Sequence, residues 1–145
     1  EYEKGEKDIP VSILHSMARR YNFELTALLS GEEPLMHSYS LTRKGRGISV
    51  ERRKDYRYRS LAHSFRGRIA EPFLVTVDPD AKGEVSFNSH HGQEFNYVLE
   101  VRLMIVIDRK ELVLEEVDSV YFDSTLPLGM KALDGKTARF LAVIF

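Results

Sequence analysis

The stretch Asn88-Ser89-His90-His91-Gly92-Gln93-Glu94-Phe95-Asn96-Tyr97-Val98-Leu99-Glu100 constrains this chain more than any other. In an extended segment, the side chains at 88 and 90 point to one side while His91 points to the other. A turn at His91-Gly92-Gln93 then brings the Glu94 carboxylate back toward them. The sequence next runs into an apolar strand. Polar, ligand-capable groups are thereby gathered at one end of a β structure whose remainder is core.

The surroundings of this stretch are also β in texture. Candidate strands are Ser38–Leu41, Ile48–Arg52, Tyr56–Leu61, Phe73–Val77, Glu84–His90, Gln93–Glu100, Leu103–Ile107, Leu112–Leu114, Ser119–Phe122 and Ala138–Phe145. Turn chemistry separates them at Lys44-Gly45, Asp78-Pro79-Asp80, Asp108-Arg109-Lys110, Pro127 with Gly129, and Asp134-Gly135. Many short strands with no helices between them predict an antiparallel sandwich or barrel. The almost wholly apolar end, Phe140-Leu141-Ala142-Val143-Ile144-Phe145, reads as a buried strand.

Residues before Gly31-Glu32-Glu33-Pro34 differ. Asp8 suits an N-cap, Pro10 suits a first turn, and Val11, Leu14, Met17, Ala18 and Tyr21 recur at helical spacing. A second helix is predicted from about Phe23 to Ser30, with Leu25, Leu28 and Leu29 on its apolar side and Gly31 as its stop. Two such helices bury little by themselves and need a partner. The expected division is therefore 1–34 for a helical piece and linker, and 35–145 for the β domain.

Composition narrows the classes. The chain has 145 residues, 43% of them apolar and 30% charged, and no cysteine. Disulfides, thiolate ligands and Cys nucleophiles are excluded. No apolar run approaches the ~18 residues that span a bilayer. A cytoplasmic location and no membrane partner are expected. The net charge of −1 hides a basic block: Arg43 to Arg68 holds ten Lys/Arg against Glu51 and Asp55. Within it Tyr56-Arg57-Tyr58-Arg59 alternates as a half-buried strand with a solvated basic face does, and a phosphate-contacting surface is the alternative. No Walker loop or Gly-x-Ser-x-Gly is present, and nothing in the order of Ser, His and Asp signals a triad.

From about Phe73 to Phe145 the chain resembles the cupin family, on the first motif quoted above and on Glu116-Val117-Asp118-Ser119-Val120-Tyr121-Phe122-Asp123 with Pro127-Leu128-Gly129. The resemblance implies a double-stranded β-helix, the cupin jelly-roll barrel. It also implies a motif-one metal set of His-x-His and Glu, completed by one further His from motif two. Laid onto this chain, those positions are Asn88, His90 and Glu94, and the last falls on Leu128. Four converging N and O donors would suit Fe, Mn, Ni or Zn. His90 and Glu94 are the good donors here, fewer than the three that a catalytic site keeps. The expectation is thus an organic-ligand pocket lined by Asn88, His90, Gln93, Glu94 and Tyr121, with no catalytic residues and a divalent transition metal only as a weaker candidate on His90 and Glu94. Cupins also carry glycines where Val101 and Val117 stand, at turns with positive φ. A β-branched residue held there costs about 1–3 kcal/mol.

The first residues have a resemblance of their own. Gly5 to Leu14, Ala18 to Leu25 and Leu28 to Glu32 are similar to the last part of a Cro/CI-type helix-turn-helix domain, whose recognition helix would lie upstream of residue 1. Together the two resemblances imply a bacterial transcriptional regulator and not an enzyme. Its cupin domain would sense a small-molecule effector and form a homodimer, and DNA would be bound through upstream residues missing from this chain. The alternatives are a cupin metalloenzyme of sugar isomerase or dioxygenase type, and a degenerate cupin that only dimerises.

Overall fold

The computed structural model describes residues 10–21, 36–51, 56–79 and 85–145. Two compact units divide them, one within residues 1–40 with Ser64–Gly67, the other Leu41–His63 with Arg68–Phe145. The boundary expected near Pro34 and the second helix expected at Phe23–Ser30 lie outside the described residues, as does Asp8.

In the first unit, α1 (Val11–Tyr21) starts where expected. The Pro10 carbonyl accepts from the amides of Ile13 and Leu14, closing the first turn on a residue that needs no donor of its own. Ala18 is buried while Met17 is exposed, and Arg19 and Arg20 sit in the last turn, where cations suit the helix dipole. Met36 and Phe65 form a parallel bridge.

Among the described residues the second unit has nine strands: β1 (Ile48–Glu51), β2 (Tyr56–Ser60), β3 (Glu71–Val77), β4 (Gln93–Glu100), β5 (Leu103–Ile107), β6 (Lys110–Leu114), β7 (Ser119–Asp123), β8 (Leu128–Ala132) and β9 (Ala138–Ile144). They form a six-stranded sheet, β1-β2-β3-β9-β4-β7, and a three-stranded sheet, β6-β5-β8. Every pairing is antiparallel. The register puts alternate residues on one inner face: Tyr58 opposite Val75, Val75 opposite Phe140, Phe140 opposite Val98. Leu103, Ile105 and Met130 of the smaller sheet join them in a single apolar cluster. The period-two burial of β3 and β4 is the alternation that the sequence shows. Tyr56 ties the sheets together. Its Oη donates to the Met130 carbonyl at 2.9 Å and accepts from the Met130 amide at 3.2 Å.

Three expectations need correction. Ser38–Leu41 forms no strand, and of Glu84–His90 the described part is extended with a single bridge, Asn88 to Leu128. Conversely β8 was read as a turn because Pro127 and Gly129 punctuate it. Gly129 instead marks a close approach: a Cβ there would stand 2.3 Å from Val85 Cγ1. Val101 and Val117 do adopt positive φ, 64° and 66°. The Val117 amide donates to the Val98 carbonyl, and the Val101 amide to Glu116 Oε1, so the surrounding turns hold both residues in that conformation.

Candidate active site

The loop before β4 carries Asn88 and His90, and backbone hydrogen bonds fix it in place. Asn88 and Leu128 exchange both amide–carbonyl bonds, at 2.8 and 2.7 Å, and the His90 amide donates to the Ser124 carbonyl at 2.8 Å. The Ser124 amide returns a bond to Gly92, whose φ of 102° and closeness to the Phe145 carbonyl leave no room for a side chain. Glu94 then lies on the inner face of β4, opposite Phe122 of β7 and Ile144 of β9.

His90 Nε2 and Glu94 Oε2 meet at 3.0 Å. The imidazole is a quarter exposed, its side chain at 25%, and the carboxylate is nearly buried at 6%. His90 Nδ1 lies 3.1 Å from the His91 carbonyl oxygen. A carbonyl only accepts, so Nδ1 carries the hydrogen in that contact. A hydrogen bond between Nε2 and Oε2 then needs one proton, which either partner can supply. Around this pair stand Asn88, Ser124, Leu128, Met130, Tyr56, Tyr58, Phe122 and Ile144. They leave a space of about 20 Å³, enough for one water-sized body.

Of the five residues expected to line the pocket, Asn88, His90 and Glu94 come together here. Gln93 and Tyr121 do not. They meet each other on the outer face, where Tyr121 Oη donates to Gln93 Oε1 at 2.6 Å. Neighbours along a strand face opposite ways, so Gln93 cannot share a side with Glu94. Sequence reasoning missed Tyr56, Tyr58 and Ser124 as lining residues, although the alternation of Tyr and Arg in β2 already implied the first two. It also missed Asn96, one pleat beyond Glu94 and fully buried, whose amide has no hydrogen-bond partner among the described residues.

With this geometry in view, residues 73–144 match the family model described as the cupin domain. That stretch is a cupin domain, and its fold is the one the cupin resemblance implies. Among solved structures, the chain is similar to hydroxypropylphosphonic acid epoxidase from S. wedmorenis, at 25% identity with a TM-score of 0.66, covering 99% of this chain and 78% of that one. It is similar to FeII HppE at 24% identity, with a TM-score of 0.67 and 99% and 80% coverage. An RmlC-like cupin from Shewanella frigidimarina NCIMB 400 follows at 14% identity, TM-score 0.60, with 76% and 93% coverage. No curated protein sequence matches. The family match stops short of the first residues and lends nothing to the helix-turn-helix resemblance. Among the described residues, no helix is long and apolar enough to cross a membrane.

The expectation that the chain is not an enzyme is corrected by this likeness to an epoxidase. The FeII form among the similar structures raises the question of a metal, which the donor set answers. His90 and Glu94 are two sound donors. Asn88 and Ser124 offer neutral oxygens, Met130 a thioether suited to soft ions, and Leu128 nothing. Among the described residues no three of His, Cys, Asp and Glu gather in one place. The residues present do not fit a resident divalent metal, because they are one donor short of a three-ligand catalytic centre.

Proposed function

We propose that the cupin domain is an enzyme of the isomerase type, in which His90 and Glu94 move protons on a small carbonyl substrate at the mouth of the cup. The observation that carries this reading is the 3.0 Å contact between a partly exposed imidazole and a buried carboxylate beside a small cavity. The likeness to an epoxidase supports enzyme chemistry on a small molecule in this fold. The dioxygenase alternative needs a metal that the donor set does not favour.

The cavity admits one water-sized group, so the carbonyl oxygen of the substrate enters it and the neighbouring carbon stays at the mouth. That oxygen takes the proton from Nε2, and Glu94, through its second oxygen, takes a proton from the carbon next to the carbonyl. The carbonyl becomes an enol and the pair again holds one proton. Where the neighbouring carbon bears a hydroxyl, that hydroxyl then gives its proton to Nε2 and the former carbonyl carbon takes the proton held by Glu94, so that C=O and CH–OH exchange places and the pair ends as it began. Such positioned acid–base groups contribute about 10²–10⁴-fold to rate.

Incubation in D₂O with a panel of keto sugars and 2-oxo acids tests the reading. Deuterium should enter the C–H next to the carbonyl of at least one compound, seen by NMR. His90→Gln and Glu94→Gln should each slow that exchange by about 100-fold or more. A panel in which no compound exchanges faster with the native protein than with His90→Gln would sink the proposal.

A further inference from the structure

The basic block of the sequence finds no use in the cup, and its placement in the fold gives it one. On the outer face of the six-stranded sheet, Arg57 of β2, Thr76 of β3 and Arg139 of β9 stand in one row, Thr76 paired with both. Arg59 and Leu74 form the neighbouring row. With Lys44 and Ser49 these residues line a concavity of about 460 Å³, within the range of small-ligand sites.

The guanidinium groups are held in place. Arg57 Nη2 binds Asp78 Oδ1 at 3.0 Å, and Thr137 Oγ1 donates to the same oxygen at 3.0 Å. Arg139 Nη1 lies 3.2 Å from Glu100 Oε2. The stem of Arg59 packs so closely on Gly47 that a Cβ there would stand 2.5 Å from Arg59 Cγ. Among the described residues, Lys44 and Arg59 have no carboxylate partner and the Thr76 hydroxyl has no hydrogen bond. Lys44, Arg57, Arg59 and Arg139 thus gather here with the carboxylates of Asp78 and Glu100, hydroxyl donors stand between them, and Glu51 of β1 occupies the register position opposite Arg57. A planar guanidinium matches the paired oxygens of a phosphate group, and an arginine already oriented loses less freedom in binding one.

We infer that this outer concavity is a second binding site, separate from the cup, for a small molecule bearing a phosphate group. The limited extent of the concavity favours a small ester over a nucleic-acid backbone, which needs a long basic track. The inference is independent of the acid–base reading of His90 and Glu94.

Pyrophosphate is the probe, titrated calorimetrically into the native protein and compared with sodium chloride at equal ionic strength, since bare screening affects all surface charges alike. Saturable binding at one site is expected. Arg59→Glu, on a partly exposed strand position, should weaken it about tenfold or more. Thr76→Val should weaken it less, and Glu94→Gln should leave it unchanged. The inference is overturned if pyrophosphate produces no saturable heat beyond the chloride control. It is equally overturned if Arg59→Glu, shown folded by its melting curve, binds as the native protein does, or if Glu94→Gln abolishes binding, placing the anion in the cup. Binding of a short DNA duplex without binding of pyrophosphate would also overturn it in favour of a polymer surface.

Discussion

The inner face of β4 changes character along its length. At one end Glu94 and Asn96 are buried and polar, and at the other Val98 is fully buried and apolar, packed with Val75, Leu103, Ile105 and Phe140. The two ends share one strand and one pairing register, yet they serve opposite demands. The apolar end holds the sheets together through burial and close packing. The polar end carries an amide at Asn96 with no partner among the described residues, a group whose burial costs about 1–3 kcal/mol. The polar groups of the candidate site sit where the core is least favourable to folding, and the apolar half of the same strand offsets that cost.

This contrast can be attacked from both sides. The largest effect should come from Phe140→Ala, which empties the centre of the apolar end and should destabilise by about 3–5 kcal/mol in urea titrations. A loss under 1 kcal/mol would mean that the two ends do not divide the labour as described. Next comes the polar end. Leu128 faces the same cavity as His90 and Glu94, so Leu128→His should supply the missing donor and raise Co(II) affinity by about a hundredfold, read from visible absorption. Co(II) binding at equal strength by the native protein would show that two donors suffice.

Smaller effects test the turns. Val117 is 71% exposed at a φ of 66°, so Val117→Gly gives up little burial and should stabilise the fold by about 1 kcal/mol after the entropy of glycine is counted. Val101→Gly should gain less, because Val101 packs against the core. The smallest effect concerns acid. Hydrogen bonding to Arg102 holds the Asp134 carboxyl below its ordinary value of 3.8, and Thr125 does the same for Asp123. A depressed folded-state value means stabilisation that is full above about pH 4 and lost as pH falls through it. Both carboxyls are exposed, so melting curves at pH 6 and pH 2.5 should differ only slightly less in Asp134→Asn than in the native protein.

Period-two patterns were the most legible feature. Gln93–Glu100 and Leu103–Ile107 have the bounds that their alternation and apolar content indicate, and the Tyr/Arg alternation of β2 sorts its two faces correctly. What failed was punctuation. Gly129 and Pro127 look like turn residues in a sequence, and only the packing of Val85 and Phe87 shows that a strand passes there without a side chain. At the site, the joining of His90 to Glu94 was readable, because a Gly turn of known length separates them. The exclusion of Gln93 and Tyr121 was readable too, had strand parity been carried through Glu94. Asn96 shares the parity of Glu94 and Val98, so its face was readable although its missing partner was not, and Ser124, in the turn after β7, gave no periodic signal at all.

The phenol of Tyr56 has a consequence beyond the joining of two layers. By engaging both the amide and the carbonyl of Met130, it acts as a substitute backbone on the side of β8 where Asn88 already pairs with Leu128, so the buried polar groups of that side stay satisfied. Tyr56→Phe would leave those two groups open while keeping the ring. The visible result would be a lower urea midpoint, a loss of about 1–3 kcal/mol, although no apolar contact of the ring is removed.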